Sequence, residues 1–513
     1  MGRHFVTVLG TGNYSECVYE MNNPKFPDKT KLVTTPFVQM AILENIMPQY
    51  RPGDRITVFA TKTAEDKNRK SVTAVSDNRT QVFQKEFKFG KKIFRLQCET
   101  QSPDDAAGSK PGLETLLQER FPQARKQFIR IPEGQNEQEL GQIFECIYGA
   151  LSDGEYIFFD FTHGLRNLPM LALAVVNYAK VLKKVRVKGL YYGAYELGNF
   201  KKSGAKTMRH VPILDMSFCS EIQDWTGAAE TFVKTGSSEL IQSLYQSQNA
   251  KNKANPVYQD VLASLYDLTG CLATSRGCID LADDTGDTGL NSKTSIYYAY
   301  TDFKSKYEEL LSKDLTANYH PIERLVEYIY DDVKILDSTK LILERDGQRS
   351  EMRYTALGMG MARWAHKKNL MTQGFISLSE AIISYVWELY DVAAQSDNVF
   401  ESREAVRTMI RGVKLRPKRE YTLEDREQWI TRWAQNNSEY AGRYGDKARE
   451  ILSTLPLEVF RLAQDVAADR NSLAHGGTLN HKTLIPYDVL RASLATMNQQ
   501  MEAILRDTPG MIQ

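Results

Sequence analysis

The sequence has almost no net charge. Its formal value is +1 over 513 residues, so no global field draws nucleic acid to it, and any such contact needs a local basic patch. Cysteine is scarce. The six, Cys17, Cys98, Cys146, Cys219, Cys271 and Cys278, are scattered, with no Cys-x-x-Cys pair and no His cluster nearby. That argues against a structural zinc site and against a disulfide framework. No metal site is expected. No apolar stretch is long enough to cross a bilayer, and Met1-Gly2-Arg3-His4 leads straight into a strand-like run rather than a signal peptide. A reducing cytoplasm is the expected location. Internal repeats and low-complexity tracts are missing too. The chain is long enough for two or three domains with substantial cores.

Residues 1–218 read as alternating strands and helices. Phe5 to Leu9 is an apolar, β-branched run that stops at Gly10, and Arg55 to Ala60 is another. Strands are also expected at Gln127–Ile131, Tyr156–Phe161, Val185–Tyr195 and His210–Leu214. Helical spacing marks 37–47, 113–120, 137–151 and 168–182. Residues 62–110 are polar and interrupted, and look like an insertion carrying a hairpin. Continuous apolar strands alternating with helices indicate a parallel sheet covered on both faces. Ligands of such sheets sit beyond the carboxyl ends of the strands. From about Glu221 the strand pattern vanishes. Residues 219–513 read as all-helical, hold all five tryptophans, and include an insert or linker region at about 235–350.

After the first strand comes Gly10-Thr11-Gly12-Asn13-Tyr14. Two glycines allow a tight turn and a close approach to a ligand. Free backbone N–H groups, with Thr11 and Asn13, suit a phosphate. The third glycine of the dinucleotide fingerprint is missing, and a plain strand-to-loop turn would read the same. After the Tyr156–Phe161 strand comes Thr162-His163-Gly164-Leu165-Arg166-Asn167. Asp160 and Thr162 alone would serve as a helix cap, but a bare cap does not call for His, Gly, Arg and Asn together. Thr162, Arg166 and the following helix N-terminus suit an anionic ligand.

Asp160-x-Thr162-His163-Gly164, with Gly-x-Gly-Asn-Tyr after the first strand, resembles the CARF-domain proteins of type III CRISPR systems. The resemblance covers the whole N-terminal domain in element order. It implies a Rossmann-like α/β sensor domain that pairs about a two-fold axis and binds a cyclic oligoadenylate messenger. Thr11, Gly12, Asn13 and Tyr14 would line one side of the pocket. Thr162, His163, Gly164, Arg166 and Asn167 would line the other. Cyclic tetra-adenylate is the expected ring. A two-fold ligand suits a homodimer, and assembly beyond the dimer stays open.

A second motif lies near the C-terminus. Val459, Ala463, Ala467, Asn471 and His475 follow one another at spacings of four, on one face of a helix that Gly476-Gly477 stops. Arg470 and His475 stand about 140° apart around that axis. They converge only on a ligand lying across the helix end, or in a site shared by two chains. Arg470-Asn471-x-x-x-His475 resembles the Arg-x-x-x-x-His motif of HEPN ribonucleases. CARF followed by HEPN is similar to the CRISPR-associated accessory ribonucleases, and Trp225-Thr226-Gly227-Ala228-Ala229-Glu230-x-Phe232 looks like the start of their helical half. The resemblance implies an activator-gated, metal-independent endoribonuclease without a cofactor, cutting single-stranded RNA. His475 would act as general acid or base. Arg470 would offset phosphate charge, and Asn471 would orient His475 or the phosphate.

Arg403, Arg407 and Arg411, then Lys414, Arg416, Lys418 and Arg419, form the most basic stretch. It reads either as an RNA guide or as a solvated helix face. His366 with Lys367 and Lys368 offers the same choice. Three other functions stay open: a ligand-binding regulator without nuclease action, a nucleotide-dependent enzyme, and slow cleavage of the messenger in the CARF pocket by Thr11, Asn13 or His163.

Overall fold

A computed structural model describes residues 2–21, 32–49, 51–72, 80–89, 92–101, 110–163, 167–203, 206–249, 258–275, 294–312, 322–337, 340–396, 398–474 and 485–512. The chain divides into two compact units, Met1–Ile222 and Gln223–Gln513.

In the first unit the elements run β1 (Arg3–Leu9), β2 (Cys17–Met21), β3 (Leu32–Thr35), α1 (Val38–Ile46), β4 (Arg55–Ala60), α2 (Lys62–Asn68) and β5 (Ser71–Val72). The hairpin strands β6 (Thr80–Phe89) and β7 (Lys92–Gln101) follow, then β8 (Lys110–Pro111), α3 (Leu113–Arg120), β9 (Arg125–Arg130), α4 (Glu137–Ala150) and β10 (Tyr156–Asp160). Last come α5 (Asn167–Leu182), β11 (Arg186–Gly193), β12 (Asn199–Ser203) and β13 (Lys206–Asp215). The main sheet has the order β3-β2-β13-β11-β10-β1-β4-β9, with β12 paired to β13.

β1 shows why this sheet must be covered twice. Successive side chains point to opposite faces. Phe5 and Leu9 enter one core with α1 and α3, while Val6 and Val8 enter another with α4 and α5. Strands β11, β10, β1, β4 and β9 are parallel. The sheet as a whole is mixed, however, and this corrects the all-parallel expectation. β13 runs antiparallel to β11, and β2 antiparallel to β3. The short strands β2, β3 and β12 carry too few residues for a periodic signal.

Strand order reverses at β1. Among the parallel strands the path runs from β1 outward to β4 and β9, and then returns through α4 to β10 on the other side, while β2 and β3 lie at the far edge. A crevice therefore opens between the carboxyl ends of β1 and β10, where ligands of open α/β sheets bind. Both N-terminal motifs sit there.

The second unit comprises α6 (Ser217–Thr235), which starts just before the division, α7 (Glu239–Asn249), α8 (Gln259–Ala273), α9 (Ile296–Leu311) and α10 (Ile322–Val333). Then come strands β14 (Ile342–Arg345) and β15 (Gln348–Glu351), α11 (Arg353–Lys367), α12 (Met371–Leu389), α13 (Val399–Gly412) and α14 (Leu423–Asn436). The unit ends with α15 (Ser438–Thr454), α16 (Leu457–Ala474), α17 (Tyr487–Asp507) and β16 (Met511–Ile512). α12 is buried along nearly its whole length and anchors the later core with α13, α15, α16 and α17. Residues of the 235–350 region pack with α6 and α11 into a core of their own around Phe232, Leu268, Phe303 and Trp364. The unit is helical as expected, with one small addition. β14, β15 and β16 form a small antiparallel sheet. Asp346-Gly347 joins β14 to β15 with both residues at positive φ (49° and 77°), the two-residue hairpin turn that Asp-Gly favours.

Candidate ligand and catalytic sites

The first site is built outward from Asp160, the last residue of β10. Its carboxylate is fully buried. One oxygen accepts from the Thr7 hydroxyl of β1 at 2.7 Å. The other accepts from the Thr162 N–H at 2.9 Å and the Thr162 hydroxyl at 2.5 Å. Thr162 Oγ1 in turn accepts from the Gly193 N–H of β11 at 2.7 Å. Burial pushes the Asp160 carboxyl up, while these hydrogen bonds pull it down. Asp160 thus clamps three adjacent strands and sets the place of Thr162. It does not face the crevice.

His163 comes next. Burial pushes its imidazole down to about 4, and Nε2 is buried with no hydrogen-bond partner. The ring is therefore neutral near pH 7 and brings no positive charge to the site. Tyr14 stands edge-on to it, with centroids 4.8 Å apart, and packs on Phe37 at 4.7 Å. The Gly10 N–H donates to the Tyr14 hydroxyl at 3.0 Å. A Cβ at Gly10 would lie 3.0 Å from His163 Cβ and from Tyr14 Oη, so any larger residue would crowd both side chains. The Asn68 side chain of α2 donates to the carbonyls of Gly10 at 2.9 Å and Gly12 at 3.0 Å. That ties the turn back against the sheet.

These elements enclose a cavity of about 340 Å³. Thr11, Gly12, Thr162 and His163 line it, so four of the nine expected ligand residues converge. Asn13 is exposed beside the cavity, and Tyr14 backs His163. Asn167, the first residue of α5, donates to the Gly134 carbonyl at 3.0 Å and so holds the loop after β9. Gly164 and Arg166 lie outside the described residues. Sequence reasoning missed Thr61, Thr63 and Glu133, which also line the cavity. Thr61 directly follows β4 and Glu133 closely follows β9, so the strand-end rule applied to every strand would have found them.

The second site sits at the end of α16. Burial of Val459, Phe460, Leu462 and Val466 holds this helix against the core. The Ser493 hydroxyl of α17 donates to Asp469 at 2.6 Å and fixes the last turns. Arg470 is half-buried and donates to the exposed Asn471 side chain at 3.4 Å. His475 and the two glycines after it lie outside the described residues. Arg411 of α13 is close enough to feel Arg470. Its charged form is disfavoured first by partial burial, then by the charges of Arg470 and Arg407.

The basic stretch divides. Arg403 is buried and bound to Ser384 at 2.9 Å and Glu380 at 3.2 Å. Arg407 pairs with Glu380 at 2.9 Å and Glu404 at 2.7 Å, and Arg419 with Asp425 at 2.6 Å. Arg403 and Arg407 serve the fold, because Glu380 already neutralises them, while Arg419 is exposed and paired with Asp425. Arg411, Lys414, Arg416 and Lys418 remain exposed. Lys367 and Lys368 both bind the buried Asp332, at 2.7 and 2.5 Å, so they too are structural. His4 is buried between Glu155 and Thr57, and His210 bonds Glu20. His320 and His481 lie outside the described residues. No described helix is long and apolar enough to cross a membrane.

Residues 4–196 match the family model described as the CARF domain of the CRISPR system endoribonuclease Csx1. A CRISPR-associated protein of Methanocaldococcus jannaschii is 21% identical over 280 residues, which cover 54% of this chain and 35% of that protein. The match thus spans about a third of the relative's length.

Proposed function

From the premise that the N-terminal unit is a CARF domain of a CRISPR-associated protein, we propose that this chain is a type III CRISPR endoribonuclease switched on by cyclic oligoadenylate. The observation that carries the reading is the order of parts. A CARF match over residues 4–196 precedes, in one chain, a helical unit whose α16 runs into Arg470-Asn471-x-x-x-His475.

The messenger occupies the crevice between β1 and β10. Backbone N–H groups of the Gly10–Gly12 turn and the hydroxyls of Thr11 and Thr162 bind it there. Since His163 is neutral, phosphate charge falls to those dipoles and to Arg166. Cyclic tetra-adenylate is the ring of choice. Two chains pair about a two-fold axis, matching a two-fold ligand.

At the second site the RNA 2′-oxygen attacks the adjacent phosphorus and the bond to the 5′-oxygen breaks. His475 takes the 2′-OH proton or supplies one to the leaving 5′-oxygen, and water completes the other transfer. Arg470 stabilises the charge that builds on the phosphate. Arg411 beside it favours an anion at this end of the helix, because two neighbouring guanidiniums gain from a shared counter-charge. The products carry a 2′,3′-cyclic phosphate and a 5′-OH. The reaction as written needs no metal. Activation requires that the messenger bind the cutting-competent state more tightly than the resting one.

The test is cleavage of a fluorogenic single-stranded RNA in EDTA, alone and with cyclic tetra- or hexa-adenylate. Strong activation by the tetra-adenylate ring is expected, and its loss in His475→Ala. Unchanged cleavage in His475→Ala removes the catalytic assignment. Ring binding without any cleavage moves the reading to a regulator without nuclease action.

A further inference from the structure

The sensor cavity contains one group that a polyanionic ligand should avoid. Glu133 lines it, and its carboxylate forms no hydrogen bond or ion pair among the described residues. Nearby carboxylates are spent differently. Glu65 pairs with Arg69 and Arg130, and Glu139 accepts from the backbone N–H groups of Gly134 and Gln135 at 2.8 and 2.9 Å.

Nor is Glu133 loosely placed. Its loop follows β9 and is pinned from two sides, by Glu139 through those two N–H groups and by Asn167 through the Gly134 carbonyl. Gly134 has φ +78°, and a Cβ there would lie 3.0 Å from Asn167 Nδ2, so the loop admits glycine alone without strain. Glu133 is thus placed in the same cavity wall as Thr61, Thr63 and Thr162.

A carboxylate accepts hydrogen bonds and repels phosphate. In a cavity that takes a nucleotide ring it is suited to a neutral donor of the ligand. An adenosine unit offers two kinds, the exocyclic amine of the base and the ribose 2′-hydroxyl. We propose that Glu133 is a specificity residue of the sensor cavity, reading one of these nucleoside donors while the turn after β1 and Thr162 hold the phosphates. The proposal rests on the CARF reading above and adds the basis on which the ring is told from other polyanions.

The experiment is a binding cycle by calorimetry on the full-length protein and its Glu133→Ala variant. The ligands are cyclic tetra-adenylate, a ring of purine ribosides lacking the amines, and a 2′-O-methylated ring. Glu133→Ala should weaken cyclic tetra-adenylate by about 10- to 100-fold, the worth of a hydrogen bond to a charged acceptor. That penalty should vanish on the purine-riboside ring if the amine is read, or on the methylated ring if the ribose is read. A general disturbance of the loop would weaken all three rings alike, and that result overturns the proposal. Tighter binding by Glu133→Ala overturns it too, because the carboxylate would then only repel. If the unaltered protein binds none of the rings, the CARF ligand reading itself falls, and the proposal with it.

Discussion

Acid should weaken the N-terminal unit through a single imidazole. His163 has its folded value pushed down by burial from 6.5 to about 4. In the unfolded chain it takes a proton near 6.5, and in the folded one only near 4. Between those values the unfolded state binds more protons, so stability rises with pH. The contribution is fully present above about 6.5 and is lost as pH falls towards about 4. A gap of roughly two and a half pH units corresponds to about 3 kcal/mol. Nε2 is buried but the residue as a whole keeps some exposure, so about 2–3 kcal/mol is the working figure between neutrality and pH 4.5. Native-state hydrogen exchange of the β10 amides, which bond to β1 and β11, reads the opening of this unit apart from the helical one. Wild type should lose about 2–3 kcal/mol more than His163→Gln over that range. Every other acid-sensitive group cancels in the difference. Parallel pH profiles for the two proteins would show that His163 is not buried neutral.

Thr162→Val removes the acceptor of the Gly193 N–H and one donor to Asp160. Exchange at Gly193 should quicken about ten- to a hundredfold, for an orphaned amide worth about 1–3 kcal/mol, and ring binding should weaken in calorimetry. Lys368→Met breaks the buried pair with Asp332 and should cost about 3–5 kcal/mol in urea unfolding followed by tryptophan fluorescence. The loss should be smaller if Lys367 takes over the charge. Adding Asp332→Leu should return part of that loss, because no buried charge is then left alone. Arg407→Ala should leave RNA binding as it is and lower stability, since its partners are Glu380 and Glu404. A loss of RNA affinity at unchanged stability, read by fluorescence anisotropy, would return Arg407 to the RNA surface.

The main strands and helices of the first unit were legible in the residues because their signals are local. β4 and α3 fall where apolar runs and helical spacing place them. The turn at Asp346-Gly347 carries a hairpin signal too, but one set in a chain that otherwise reads as helical. The motifs at Gly10–Gly12 and Thr162–His163 stood out as unusual residue types directly after buried strands. Other features depend on contacts between distant positions and carry no spacing signal. The Thr7–Asp160 bond joins residues 153 apart. The arginines at 403 and 407 share a periodicity with Arg411 and differ only because Glu380, on another helix, neutralises them. Glu133 resembles any loop carboxylate until the order of the sheet brings the end of β9 to the same cavity as the ends of β4, β1 and β10. Local sequence determined the strands, the helices and the two motifs, because backbone preference and burial period act over a few residues. Which charges stay free and which groups share a cavity was decided by tertiary structure alone, because both depend on what another segment brings alongside.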